Sequence, residues 1–175
     1  GVYANLKKVI LFLFATSVDE VLLLLAALAA GLPLPLVAVQ ILWINIVTEG
    51  TLTLNLVMDP ADTREMKRPP LPRDAALLDR EMLTRAALMA LTAAATAFAW
   101  YAWRLHAGVP LAEARAEAFT LLVVCEWWNV LNCRSERRSA LNLSILTNPW
   151  LIGGLVVGNL LQVAVIFFRP LGEVF

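Results

Sequence analysis

The chain has 175 residues, and 60% of them are hydrophobic, a share above the roughly 45–50% that is usual in soluble domains. Its 14 basic and 14 acidic residues give a net charge of zero, so the charge balance offers no reason to expect a nucleic-acid partner. Long apolar runs alternate with short charged segments, as bilayer spans alternate with loops. A hydrophobic soluble domain is the alternative, but apolar runs of about 20 residues recur too often for it. The composition therefore predicts an all-α membrane protein.

Five apolar runs predict a polytopic transmembrane helical bundle of about five spans, forming one domain over residues 1–175. The spans cover about residues 6–30, 36–58, 82–103, 116–133 and 149–168. A polar, proline-rich segment, residues 59–78, separates the second span from the third. Asn148 followed by Pro149 predicts the cap and first turn of the last span. The first run is too long for a signal peptide and carries Asp19 and Glu20 within its apolar part.

The basic residues predict the orientation of the bundle. They gather before the first span, between the second and third, and after the fourth, whereas the other side has only Arg104, Arg115 and Arg169. The positive-inside rule then places the N-terminus and the long loop in the cytoplasm. Five spans leave the C-terminus on the opposite side, and we expect an integral protein of the cell (plasma) membrane with lipid as its surroundings.

Four acidic residues lie within the predicted spans, namely Asp19, Glu20, Glu49 and Glu126. An acid at the centre of a membrane helix costs about 2.5–3.5 kcal/mol to insert. No Lys or Arg lies in the middle of these spans to neutralise them. The acids therefore indicate that a cation or protons bind inside the bundle.

Polar residues spaced by three or four positions present these acids on shared helix faces. The candidate cation ligands are Ser17, Glu20, Asn45, Thr48, Glu49 and Glu126. Such oxygen ligands suit Ca²⁺ and other hard cations. Gly50 directly follows Glu49 and favours local unwinding, which would add backbone carbonyls to the site. Asp19 points roughly 100° away from Glu20 on a regular helix, so we expect it not to share Glu20's site but to face another helix, a water path or a cavity linked to the cytoplasm.

Simpler roles remain open for several of these polar residues. Glu126 alone could be a protonated, hydrogen-bonded acid rather than a ligand. Polar residues within spans most often join helices by hydrogen bonds. We assign that structural role to Thr51, Thr53, Asn55, Asn159 and Gln162.

Several strings resemble the C-terminal transmembrane region, helices five to nine, of the P-type cation-transporting ATPases, most closely the calcium-pump-like branch. SVDEV at residues 17–21 resembles helix five, and VQILWINIVTEG at residues 39–50 resembles helix six. MKRPP at residues 66–70 resembles the loop after helix six. Glu126 with Asn129 and Asn132 resembles helix eight, and NPW at residues 148–150 resembles the start of helix nine. The resemblance covers essentially the whole chain.

The resemblance implies metal-binding roles for residues of helices five and eight. Glu20 matches the helix-five acid that binds the first calcium ion, and Glu126 matches the helix-eight acid of the same site. Ser17 stands where the family often has Asn. Asp19 is a departure, because calcium pumps usually have Gly there, and it adds an acid near the site.

The resemblance also implies ligand roles in helix six. Asn45 and Thr48 match ligands of that helix, and Glu49 stands where an Asp normally bridges both ions. The extra methylene of Glu49 changes the size of the cavity and so puts the identity of the ion in doubt. The resemblance favours Ca²⁺, with Na⁺, K⁺, Mn²⁺ and H⁺ as open alternatives.

The family's other parts are absent from this sequence. They comprise the first four membrane helices with the helix-four ligands, the actuator and nucleotide-binding domains, the phosphorylation domain with its Asp-Lys-Thr-Gly-Thr motif, and the tenth helix. We therefore expect the ion-path portion of a pump, as a fragment or a split-gene half, with the missing N-terminal half as its partner. The chain alone should have no ATPase activity and no cofactor, since Mg-ATP binds only the complete pump. The alternative is a non-catalytic, pump-derived membrane subunit, or a regulatory or cation-binding protein.

Overall fold

The computed structural model describes residues 2–59, 79–134 and 148–167. Its elements are α1 (Val2–Ala29), α2 (Ala38–Trp43), a π-helical segment (Ile44–Glu49), α3 (Gly50–Val57), α4 (Arg80–His106), α5 (Leu111–Cys133) and α6 (Pro149–Phe167). Within these ranges the chain has helices and no strand, which confirms the predicted all-α class. The MKRPP string and the C-terminal residues 168–175 lie outside the described residues.

Three of the described helices are long and apolar enough to cross a membrane, namely α1, α4 and α6. The 28 residues of α1 extend about 42 Å, more than the hydrocarbon core of about 30 Å. The run from α2 to α3 and helix α5 are not among these candidates. Both carry the polar residues of the predicted site, which lower their apolarity. The membrane spans at 36–58 and 116–133 therefore remain predictions, although helices occupy both regions.

Contacts at the helix ends give the direction of the long helices. Helices α1 and α4 run the same way, and α5, which follows α4, runs opposite to both. At one end, the Lys7 amine bonds the Asp79 carboxylate at 2.8 Å, joining the starts of α1 and α4. At the other end, the Tyr101 hydroxyl donates to the Pro33 carbonyl at 2.8 Å. Arg115 there donates to a carbonyl of the same α1–α2 connection. The bundle is therefore up-and-down, so residues in the middle of each helix share one level.

Helix α1 packs most extensively against α4, and α4 packs against α5. The buried face of α4 is rich in alanine: Ala86, Ala90, Ala93, Ala94 and Ala97. Small side chains let helix backbones approach closely. Phe12 on α1, fully buried, packs in one cluster with Ala86 of α4, and the fully buried Tyr101 on α4 packs in another with Ala114 of α5. Because α1, α4 and α5 pack together, the acids of α1 and α5 lie in the interior of the bundle.

Helices α3 and α6 approach closely at Gly154. A Cβ atom built there would lie 1.8 Å from the side-chain nitrogen of Asn55, whereas one at Gly153 would meet nothing within 4 Å. Asn148 accepts the Leu151 N–H at 3.0 Å, and α6 begins at Pro149, which confirms the predicted cap and first turn. Glycine at position 154 is thus what admits the Asn55 side chain.

Candidate cation site

The interior face of α1 carries Thr16, Asp19 and Glu20, whose relative exposures are 0%, 0% and 7%. Thr16 and Glu20 are four residues apart, so their side chains lie on the same side of the helix. Ser17, a predicted ligand, is exposed. The role of Ser17 as a ligand stays a prediction, and Thr16, four residues before Glu20, occupies the buried position.

The π-helical segment carries the predicted helix-six ligands. Thr48 and Glu49 are buried, with 4% and 5% exposure. Asn45 is exposed but donates its side-chain amide to both oxygens of Glu20 at 3.3 Å. This contact joins the π-helical segment to α1.

The helix does not unwind at Gly50, which has regular α-helical torsions, φ −58° and ψ −46°. The expected loss of helical structure there is wrong. The backbone instead widens into a π-helix over Ile44–Glu49. In a π-helix each hydrogen bond joins residues five apart, one more than in an α-helix, and such turns are frequent at functional sites. The wider turn changes the angular positions of the polar side chains along this segment.

Helix α5 supplies Glu126, which is fully buried, and Asn129, which is 6% exposed. They are three residues apart and so share a helix face. The Glu126 carboxyl interacts electrostatically with Asp19, Glu49 and Glu20. The acids of three separate helical elements thus lie close together in the interior.

Asp19 lies in the interior near this group and faces α5, and its separation from the ligand site of Glu20 stays a prediction. Its side chain is fully buried and interacts electrostatically with Glu126. It also interacts with Cys125 on α5. Because α1 packs against α3, α4 and α5, two neighbouring positions of α1 can both face the interior.

Five buried carboxylate oxygens in the described ranges have no hydrogen-bond partner: both of Asp19, both of Glu126 and one of Glu49. Thr53 Oγ1 and Asn129 Nδ2 are also buried without a partner. Buried polar groups are normally hydrogen-bonded, and leaving an acid unpaired is costly. These side chains therefore point to a ligand that satisfies oxygen atoms, either protons or a cation.

The described residues do not by themselves form a closed metal shell. Among them, no three Asp, Glu, Cys or His side chains are arranged to hold one metal ion. The cluster also has an open side, where Ser17 and Asn45 are exposed.

Three interior residues, Thr16, Asp19 and Asn129, were not among the predicted ligands. The Thr16 hydroxyl donates to the carbonyls of Phe12 and Leu13, and its side chain lies near Glu49. The spacing of Thr16 from Asp19 and Glu20, three and four residues, was the signal that could have found it. We call the group formed by Thr16, Asp19, Glu20, Asn45, Thr48, Glu49, Glu126 and Asn129 the acid cluster.

A helical membrane bundle with unpaired acids in its interior defines a membrane domain of the ion-handling class. The chain belongs to the P-type cation ATPases: residues 33–175 match the family described as "Cation transporting ATPase, C-terminus". It is the C-terminal transmembrane region of that family, as the resemblance implied.

Known relatives match over the whole length of this chain. It is 38% identical to the "Probable cation-transporting ATPase F" of Mycobacterium tuberculosis, covering 19% of that protein. It is 36% identical to the "Calcium-transporting ATPase" of Bacillus subtilis, covering 20% of it. It is 30% identical to the mouse "Calcium-transporting ATPase type 2C member 2", covering 19% of it. The chain thus spans about a fifth of the length of these relatives.

Proposed function

We propose that this chain is the ion-binding and translocation portion of a P-type ATPase that moves a hard cation, Ca²⁺ first among them, across the cell membrane. The observation that carries the proposal is the set of five buried, unpartnered carboxylate oxygens on Asp19, Glu49 and Glu126. In a bilayer, such groups mark ion or proton paths. Relatives named as calcium-transporting ATPases support Ca²⁺ as the cargo.

The proposed ligands divide by position in the acid cluster. Glu20, Glu49 and Glu126 supply carboxylates, and Asn45 and Thr48 supply amide and hydroxyl oxygens. Ca²⁺ takes about 6–8 oxygen ligands at roughly 2.3–2.6 Å, so the cluster provides part of a coordination shell. Ser17, exposed on the open side, joins the shell when another part of the pump covers that side.

The relatives are about five times longer than this chain, so we place the ATP-driven steps in the remainder of a complete pump. There, Mg-ATP would phosphorylate an aspartate in a separate domain, and α1 would carry the resulting movement to the acid cluster. The N-terminus would face the cytoplasm, in keeping with the basic residues on that side. The chain alone would bind cations without hydrolysing ATP.

The test is cation binding by the complete ATPase with Glu20, Glu49 or Glu126 changed to Gln. We expect each change to weaken Ca²⁺ binding by about tenfold or more, since each removes a charged ligand. Glu81→Gln is the matched control, because Glu81 is exposed in the first turn of α4. Unchanged binding in all three variants would refute the shared site. Binding without ATP-dependent uptake would instead support a non-catalytic cation-binding subunit.

A further inference from the structure

Away from the acid cluster, Asp59 ties four helical elements together through a buried carboxylate. Its Oδ2 accepts from Lys8 on α1 at 2.7 Å. Its Oδ1 accepts from Arg134, at the end of α5, at 3.0 and 3.1 Å. The same oxygen accepts from Asn148, the cap of α6, at 3.2 Å. The side chains of Asp59 and Arg134 are only 5% and 4% exposed, so this pair lies inside the protein.

Two asparagine side chains also hold the backbone at the end of α3. Asn5 donates to the carbonyls of Val57 and Asp59 at 2.9 and 2.8 Å. Asn148 donates to the carbonyl of Asn55 at 3.0 Å. The last carbonyls of a helix have no partner within it and need capping from elsewhere. Here the caps come from α1 and α6, so the end of α3 is fixed to both neighbours.

Helix α1 is therefore joined to the α2–α3 run at two levels. One level is the acid cluster, where Asn45 bonds Glu20. The other is the group formed by Asn5, Lys8, Asp59, Arg134 and Asn148, which we call the Asp59 latch. Asp59 lies ten residues beyond Glu49 in the sequence, or about 15 Å along a helix. The helical segment between the two levels has both ends attached to α1.

We propose that the Asp59 latch positions the π-helical segment, so that a displacement of α1 reaches Asn45, Thr48 and Glu49 through the fixed end of α3. The proposal deepens the proposed function and rests on it for its transport consequence. The latch residues do not touch a cation; they act through the position of α3. Their effect should therefore appear in the backbone of the π-helical segment, even without a cation.

Lys7 provides a matched control for Lys8. The two lysines are adjacent and equally buried, with side-chain exposures of 16% and 14%, and their ion pairs measure 2.8 and 2.7 Å. They differ in the partner: Asp79 is 49% exposed, whereas Asp59 is 5% exposed and belongs to the latch. Exposed ion pairs contribute little to stability, whereas breaking a buried ion pair is strongly destabilising.

The first experiment measures amide hydrogen exchange in the purified full chain in lipid nanodiscs, with no divalent cation. We expect Lys8→Gln to speed exchange at residues 44–49 by about tenfold, with Lys7→Gln near the unchanged chain. Faster exchange confined to the end of α3 and the start of α1 would overturn the proposal, since the latch would then be a local tie. Equal effects of the two substitutions would overturn it as well.

The second experiment measures Ca²⁺ dependence in the complete ATPase. Lys8→Gln should raise the half-saturating Ca²⁺ concentration by about tenfold, whereas Lys7→Gln should leave it unchanged. A lower melting temperature with an unchanged half-saturating concentration would show a purely structural role and overturn the proposal. If the unmodified protein shows no Ca²⁺ dependence, the proposed function fails, and the exchange experiment still decides whether the latch positions the π-helical segment. Asn5→Ala, which removes only the carbonyl caps, serves as the second variant if Lys8→Gln does not fold.

Discussion

Asn45 donates its side-chain amide to both carboxylate oxygens of Glu20, each at 3.3 Å, and to the carbonyl of Ile41 at 2.8 Å. The contact links the π-helical segment to α1 and directs the amide nitrogen at the carboxylate. The amide oxygen of Asn45 is then left to accept from, or coordinate, another group. This residue therefore both positions an acid and offers an oxygen of its own.

Replacing Asn45 by alanine should weaken Ca²⁺ binding by about tenfold, because one oxygen donor and the support of Glu20 are lost together. Asn159→Ala is a close control. Asn159 is exposed on α6, and its amide likewise donates to the carbonyl four residues earlier, at 2.8 Å. The measurement is equilibrium Ca²⁺ binding to both variants of the complete ATPase. Equal affinities for the two variants would show that the Asn45–Glu20 contact does not support the site.

Asp19 gives a prediction with opposite effects on stability and on binding. Asp19→Asn keeps the shape of the side chain and removes a buried acid that has no partner. It should raise the melting temperature of the cation-free chain, since an unpaired buried acid is costly. It should also reduce the stabilisation that added Ca²⁺ provides, because that stabilisation follows the affinity. Melting curves with and without Ca²⁺ test both parts, and an unchanged response to Ca²⁺ would exclude Asp19 from the acid cluster's function.

The contact between α3 and α6 predicts different outcomes for two adjacent glycines. Gly154→Ala should destabilise the chain by about 1–3 kcal/mol, the range for overpacking an interior site, because the added methyl meets Asn55. Gly153→Ala adds its methyl into open space and should be neutral or slightly stabilising. Unfolding of the chain in mild detergent measures both changes. Restoration of stability in the double variant Gly154→Ala/Asn55→Ala would assign the loss to that contact, and a loss that persists would contradict the assignment.

Asp79 gives a pH-dependent prediction outside the membrane-spanning segments. The bond from Lys7 and the N–H of Met82 hold the pKa of Asp79 below its usual value of 3.8. A lowered folded-state pKa means that the stabilisation is fully present above 3.8 and is lost as the pH falls through the folded-state value. Asp79→Ala should therefore cost about 1 kcal/mol near pH 7, as for other helix caps.

The check on Asp79 is the free energy of unfolding measured from neutral to strongly acidic pH. The difference between the unmodified chain and Asp79→Ala should shrink as the pH falls. Asp79→Asn, which keeps a good capping side chain without the charge, should lose less stability at neutral pH. A difference that does not change with pH would show that the ionised form of Asp79 contributes nothing.

Much of the fold follows from the sequence because an apolar run in a membrane must pair its backbone N–H and C=O groups internally, and a helix does so. The α6 start at Pro149 was predictable for the same kind of local reason, since Asn caps and Pro begins helices. The π-helical segment was not predictable. Residue spacing assumes a regular α-helix, and a π turn changes the angular position of every residue that follows it.

The sequence was sufficient to predict the acids Glu20, Glu49 and Glu126 as members of the site, but it was not sufficient to predict every residue that lies with them. Spacing alone placed Ser17 beside Glu20, although Thr16, one residue earlier, satisfies the same rule. Which of the two faces inward depends on where α4 and α5 pack against α1, and single-helix spacing carries no such information. Asp19 was predicted to lie apart from Glu20 because helical spacing assumes that a helix buries one side only. Helix α1 packs against other helices on several sides, so both residues can be buried.

We propose above that the buried acids bind the transported cation. The most direct test of this proposal is ATP-driven uptake of radioactive Ca²⁺ into membrane vesicles by the complete ATPase, comparing Glu126→Gln with the exposed-site control Glu81→Gln. We expect normal uptake for the control. For Glu126→Gln, at the same amount of protein in the membrane, we expect uptake that is lost or that needs about tenfold more Ca²⁺. Uptake by Glu126→Gln with an unchanged Ca²⁺ dependence would contradict it.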